Sequence, residues 1–261
     1  MIGLIGIDVD GTLVGSSGVV PEFVWEAAAR ARAAGVRLAL CSGRPAFGIA
    51  REYARRLDHD GWHMFQNGAS VVHLATNESR STPLPTERVQ ELIAQARATQ
   101  QVLELYSDGA YVVESDSAWA SEHAELLGLP FKAQRFETLP PPVVRAQWLM
   151  SPADAERVTA SPDLEMAVST SPLMPGVRFI GLTRHGVSKG NAIREVAAAY
   201  GIDLRDVMYV GDSGNDLSAL RVVGHPIAMG NGDPAVIAAA SRTVGDVEEG
   251  GLAEALRLAV G

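Results

Sequence analysis

The chain has 261 residues, 47% hydrophobic and 20% charged, ordinary globular usage that excludes a disordered or fibrous protein. Its 31 acidic residues outnumber 22 Lys and Arg, for a formal charge of -9, so a long polyanion such as nucleic acid is repelled, whereas a small phosphorylated ligand needs only a local reversal of sign. One cysteine, Cys41, and six histidines without zinc-ligand spacing exclude a disulfide scaffold and structural zinc, and the lack of a basic leader or long apolar run predicts no signal peptide, no membrane span and a cytoplasmic address.

Residues 2–7 form an apolar run that stops abruptly at Asp8-Val9-Asp10-Gly11-Thr12, as a buried parallel strand does on meeting a turn. Pro21 opens a helix through Val24, Ala28 and Ala31 that Gly35 stops. Residues 36–40 read as the next strand, the polar loop Ser42-Gly43-Arg44-Pro45 follows, and a second helix runs to about Leu57. Strand, helix, strand, helix is the pattern of a βαβ unit in a parallel sheet.

Next come a helix over residues 86–99, strands at 102–106 and 111–113, a helix near 116–127, a strand at 143–150, a helix from Ala153, and strands near 164–168 and 177–182. Such a mixture predicts an α+β domain with one face open. The first pattern then returns: helix 187–199 closed by Gly201, strand 207–210, helix 216–222, strand 226–229, a helix from Pro234, a short strand at 242–244 and a helix over 252–260. Far more residues separate Ser42 from Lys189 than the roughly 30 of a βαβ unit, so the middle is an insert. The expected division is a doubly wound parallel-sheet core, Rossmann-like, from residues 1–81 and 184–261, and an inserted cap over 82–183, with a hinge at Pro83 and Pro85.

The chemistry-bearing residues cluster where strands end. Asp8 and Asp10 follow the first strand, and in doubly wound sheets ligands bind just outside those ends. Two carboxylates so close repel unless a hard cation such as Mg²⁺ lies between them, although an Asp-Gly turn accounts for the pair alone. A second acidic loop, Gly211-Asp212-Ser213-Gly214-Asn215-Asp216, also follows an apolar strand, and its bland alternative is a helix N-cap. The loop Ser42-Gly43-Arg44 follows the second strand and can present a hydroxyl and backbone amides to phosphate oxygens. Lys189, at a helix start where the dipole disfavours a cation, makes sense beside an anion. Cys41 reads as a buried thiol, the four tryptophans as packing, and Asn77-Glu78-Ser79 as a sequon by spelling only.

In the order Asp-x-Asp-Gly-Thr, Ser, Lys, Gly-Asp-x-x-x-Asp, with Phe65-Gln66-Asn67-Gly68-Ala69 between, the sequence resembles the haloacid dehalogenase superfamily, and within it the Cof-type branch with a large α/β cap. The resemblance implies a Mg²⁺-dependent hydrolase of small phosphomonoesters, such as sugar phosphates, acting through an aspartyl phosphate. Asp8 would be the nucleophile, Asp10 the general acid and base, and Thr12 a positioner of the loop. Ser42, Gly43, Lys189 and Asn215 would bind phosphate. Metal would be held by Asp8, the main-chain carbonyl of Asp10 and Asp212, with Asn215 and Asp216 supporting, and Arg44 would be a further supporting residue of the site. Ser42 replaces the threonine common in the branch, the run Met229-Gly230-Asn231-Gly232 has glycine where alanine is usual, and Glu249-Gly250-Gly251 has glycine where an aspartate commonly stands. Glu104, Tyr106, Asp108, Arg178 and Arg184 are candidates for reading the leaving group. A phosphotransferase or mutase of the same superfamily, or a non-catalytic phosphometabolite sensor, are the alternative readings.

Overall fold

A computed structural model describes residues 1–159, 161–171 and 173–260. In chain order the first elements are β1 (Leu4–Asp8), α1 (Glu22–Ala33), β2 (Arg37–Cys41), α2 (Ile49–Asp58), β3 (Trp62–Phe65) and β4 (Ser70–His73). The middle adds α3 (Thr86–Thr99), β5 (Val102–Tyr106), β6 (Tyr111–Val113), α4 (Ala118–Leu126), β7 (Arg145–Met150), α5 (Pro152–Ala155), β8 (Leu164–Ser169) and β9 (Arg178–Arg184). The last third holds α6 (Lys189–Tyr200), β10 (Val207–Gly211), α7 (Leu217–Leu220), β11 (His225–Ala228), α8 (Pro234–Ala239), β12 (Arg242–Thr243) and α9 (Gly251–Leu258). The chain divides into two compact units: Met1–Arg44, Ala50–Arg80 and Ser188–Gly261 in one, Pro45–Ile49 and Ser81–Val187 in the other.

The first unit is the α/β core. Its seven strands run in the order β12-β11-β10-β1-β2-β3-β4, all pairs parallel except the hairpin of β3 with β4. Parallel strands covered on both faces must be apolar throughout, and every residue of β1 and β10 is buried. From β1 the chain moves outward through β2 and β3, then resumes at β10 on the other side. The boundary between β1 and β10 is therefore the topological switch point, where a crevice opens beyond the strand ends. Helix α1 buries Val24, Trp25, Ala27, Ala28 and Ala31, one stripe at helical spacing. Pro21 stands at its N-cap, one position ahead of the expected first turn, and Gly35 follows with φ of 89°.

The β3–β4 hairpin was not among the expected strands. Each arm has four residues, and the turn between them places Gln66 and Asn67 at positive φ, values that turn propensities do not announce for glutamine. The helix expected over 216–222 divides into a 3-10 turn, Gly214–Asp216, and the four-residue α7.

The second unit is α+β. Its five strands are antiparallel in the order β6-β5-β7-β9-β8. Leu92 and Ala96 of α3 join Leu103, Leu105, Ala146, Trp148, Ile180 and Leu182 on one face. The opposite face is not simply open, as the sequence suggested: Ala120 of α4 packs there with Val102, Val113, Leu149 and Phe179. Beside that packing lies a buried polar group in which Glu104 accepts hydrogen bonds from the Tyr106 hydroxyl at 2.6 Å and the Gln147 amide at 3.0 Å, and pairs with His123 at 2.8 Å.

Candidate active site

Beyond the ends of β1 and β10 the backbone turns sharply. After Asp8, the carbonyl of Val9 accepts from the amides of Thr12, Leu13 and Val14, which winds the chain into a single turn and seals Thr12 and Leu13 inside. Gly11 sits in that turn at φ of 85°, and a Cβ there would collide with the Asp212 carboxylate. Only glycine lets the first acidic loop pass this close to the second. Thr12 then donates from Oγ1 to Asp212 Oδ1 at 3.2 Å, tying the two loops together.

Asp8, Asp212 and Asp216 each place a carboxylate oxygen within 4.8 Å of the others. Asp8 and Asp216 are buried, and the gap between them is bridged by the ammonium of Lys189, 2.5 Å from Asp8 Oδ1 and 2.7 Å from Asp216 Oδ1. Lys189 opens α6, and Ser188 caps that helix by accepting from the Asn191 amide at 3.2 Å. Side chains on a helix lean towards its N-terminus, which from this position directs Lys189 at the strand ends. Burial alone would lower its affinity for a proton; the two aspartates override this and push it up.

The carboxylates pay for their confinement. Burial first, then the Asp216 charge, raise Asp8 well above the usual carboxylate range, against the opposing effect of Lys189. The same two causes push Asp212 up to about 6. Three carboxylates facing one ammonium leave an excess of negative charge. Oxygen donors so arranged fit a hard divalent ion such as Mg²⁺, which would relieve the repulsion.

Both Asp216 oxygens are already engaged. Oδ2 accepts from the amides of Asp212 and Ser213, each at 3.0 Å, while Oδ1 accepts from Lys189 and from the Tyr209 hydroxyl at 2.7 Å. These bonds make it an anchor for Lys189 and for its own loop. Asp10 departs further from a simple acidic pair: its side chain is 62% exposed, lies outside the carboxylate cluster, and is clasped by both nitrogens of the Arg44 fork, at 3.1 and 2.5 Å. Ser42 is buried one residue past β2, whose last residue, Cys41, is the register partner of Asp8. Its hydroxyl accepts from the Arg44 amide at 3.0 Å.

Asn215 donates to Asn67 Oδ1 at 3.2 Å, and the bare Cα of Gly43 lies beside the same Asn67 oxygen. Sequence reading used Asn67 only as part of a run of letters; its positive φ, which brings the amide beside Asn215, carries no signal in the residue string. Asn231 was also passed over: it donates to the Gly11 carbonyl at 2.8 Å and accepts from the Val247 amide at 2.9 Å, bracing the first loop. Cys41 is buried with its thiol pushed up by burial, so it is protonated and inert. No helix among the described residues is long and apolar enough to cross a membrane.

Comparison with known proteins gives the family. The profile of the haloacid dehalogenase-like hydrolase family matches residues 5–256. The chain is 26% identical to the 5-amino-6-(5-phospho-D-ribitylamino)uracil phosphatase YwtE of Bacillus subtilis, covering 87% of each. It is 26% identical to the pyridoxal phosphate phosphatase YbhA of Escherichia coli, covering 93% of each. Among solved structures it is similar to a haloacid dehalogenase-like hydrolase from Bacteroides thetaiotaomicron, with a TM-score of 0.85, 26% identity and 99% of each chain covered.

Proposed function

We propose, for a chain that belongs to the haloacid dehalogenase-like hydrolases and is a phosphatase, that it hydrolyses a small phosphomonoester through an aspartyl phosphate on Asp8. The observation that carries this reading is the buried Asp8 carboxylate held 2.5 Å from the Lys189 ammonium beside Asp212, at the switch point of a parallel sheet. Phosphoryl transfer asks little covalent chemistry of a protein; it asks for an oriented nucleophile and cancelled charge on the equatorial oxygens.

In the first step an Asp8 oxygen attacks phosphorus in line with the ester bond, which breaks, and Asp10 gives its proton to the departing alkoxide. In the second, Asp10 takes a proton from water, whose oxygen displaces Asp8 and releases inorganic phosphate. Arg44 holds Asp10 where its lone pairs remain available for that proton. Lys189, the Ser42 hydroxyl, the Gly43 amide and Asn215 bind the phosphoryl oxygens, and Thr12 steadies the loop that carries Asp10. Asp8, the main-chain carbonyl of Asp10 and Asp212 would hold Mg²⁺, which when bound neutralises charge on the phosphoryl group. Asp216 supports from behind by orienting Lys189. The substrate class, a sugar phosphate or a similar metabolite, is supported by relatives whose named substrates are small phosphorylated molecules.

Release of phosphate from p-nitrophenyl phosphate with Mg²⁺, and no acceptor sugar present, tests the reaction and separates hydrolysis from phosphotransfer. Asp8→Asn should abolish release while keeping the fold. Equal rates in the two proteins would remove Asp8 as nucleophile.

A further inference from the structure

Strand β10 carries apolar residues and one glycine apart from Tyr209, which is wholly buried. A phenol in such a place needs a hydrogen-bond partner, and it finds Asp216 Oδ1 at 2.7 Å. The same oxygen accepts from Lys189 at 2.7 Å, and the other accepts two backbone amides. A carboxylate has about four lone-pair sites, so Asp216 is saturated.

Space for the ring is made on the neighbouring strand. Gly6 is the register partner of Tyr209, and a Cβ there would stand 2.7 Å from Tyr209 Cδ2, closer than real Cβ atoms come. Strand backbone is comfortable for any residue, so glycine at position 6 is explained by room and not by conformation. Gly6 and Tyr209 act as one device: bare backbone on β1 admits a phenol from β10 at the depth that reaches Asp216 from inside the sheet. Gly6 and Asp8 lie two apart on β1, so both face the side on which Tyr209 and Lys189 stand.

We propose that Tyr209 is a positioning residue for Lys189. By occupying one lone pair of Asp216 Oδ1 it divides the pull of that oxygen, so the ammonium stays on Asp8 and does not settle on Asp216 alone. Without the hydroxyl, Oδ1 keeps its charge, loses a neutral donor and draws the one mobile donor left to it. This rests on the reading of Asp8 and Lys189 as the groups that meet the phosphoryl group.

Tyr209→Phe removes the hydroxyl and keeps the ring. Its kcat for p-nitrophenyl phosphate should fall about tenfold with KM within about twofold, since a bond to a charged group that is felt in the transition state is of this size. Mg²⁺ affinity by calorimetry should hold, because Asp8 and Asp212 are untouched. A wild-type kcat, or a loss that follows Mg²⁺ affinity, overturns the proposal. Gly6→Ala with Tyr209→Leu removes the phenol while the added methyl and the leucine keep part of the apolar volume. Matching the loss in Tyr209→Phe supports the hydroxyl, whereas wild-type turnover, or failure of both variants to fold, makes Tyr209 a matter of packing and overturns it. If the wild-type chain releases no phosphate, the reading of the site fails separately. The crystal structure of Tyr209→Phe still decides this point: Lys189 Nζ displaced from Asp8 supports it, and Nζ in place overturns it.

Discussion

At the scale of single residues, Lys189 and Asp10 show how burial decides what a charge does. Lys189 is 1% exposed, and its removal leaves Asp8 and Asp216 without their shared counter-charge in a place water does not reach. Breaking a buried ionic group by deleting one partner costs about 3–5 kcal/mol. Lys189→Met should therefore lower the free energy of urea unfolding by this order as well as stop turnover; a loss below about 1 kcal/mol would mean that the aspartates simply take up protons. Asp10 is the opposite case. Its bond to Arg44 lies in solvent, where ion pairs contribute about 0–1 kcal/mol. Asp10→Asn should leave the unfolding curve and Mg²⁺ binding nearly in place while cutting hydrolysis strongly, and an unchanged rate would end its assignment as acid and base. Both residues were legible as chemistry, Asp10 from a short motif at a strand end and Lys189 from a cation at a helix start, where the dipole disfavours it. Their different energetic roles were not, because exposure depends on which loop folds over which.

At the scale of elements, the seam between β2 and β3 contains a feature that no periodicity reveals. The two strands share a single register pair, Cys41 with Met64, and the Leu40 amide turns instead to His63 Nδ1 at 3.0 Å. An amide can only donate, so Nδ1 is bare, and the proton sits on Nε2, where it bonds the Asp58 carbonyl at 2.8 Å. The imidazole replaces a rung of the ladder and must stay neutral; burial pushes it down to about 4. A histidine of ordinary pKa in the unfolded chain binds its proton first, so its contribution to stability is whole above about pH 6.5 and is lost as pH falls towards 4, by about 3 kcal/mol in all. Stability measured by urea unfolding across that range should fall in the wild type and fall less in His63→Leu, which itself should cost about 1–3 kcal/mol at pH 7 for the orphaned amide. Parallel slopes in the two proteins would show that other groups govern acid sensitivity. The β3–β4 hairpin was missed in the sequence for a related reason. Four-residue arms are too short to show alternation, all of the first arm is buried, and the turn that sets their four-pair register has positive φ at Gln66 and Asn67, a geometry outside local propensity.

At the scale of the molecule, the two units have separate cores, and the carboxylate cluster belongs to one of them alone. The α/β pattern of the outer thirds and the α+β pattern of the middle could be read from strand and helix spacing, because parallel strands are apolar throughout and antiparallel ones are not. The grouping of Pro45–Ile49 with the second unit could not, since nothing in that segment's composition distinguishes it from the loop before it. A ligand that binds only the native form of one unit stabilises that unit by mass action, about 2.7 kcal/mol at a hundredfold excess over Kd. For a domain of this size each kcal/mol moves the midpoint by roughly 2–4 °C, so saturating Mg²⁺ should raise the melting of the first unit by roughly 5–10 °C. Tryptophans report the units independently: Trp25 and Trp62 lie in the first, Trp119 and Trp148 in the second. Chains retaining either pair, with the other replaced by phenylalanine, should show a Mg²⁺-dependent, chelator-reversible shift through Trp25 and Trp62, and little or none through Trp119 and Trp148. Asp212→Asn should erase the shift. A shift of equal size in both reporters would mean that the two units unfold together, and none in either would mean that these carboxylates hold no cation.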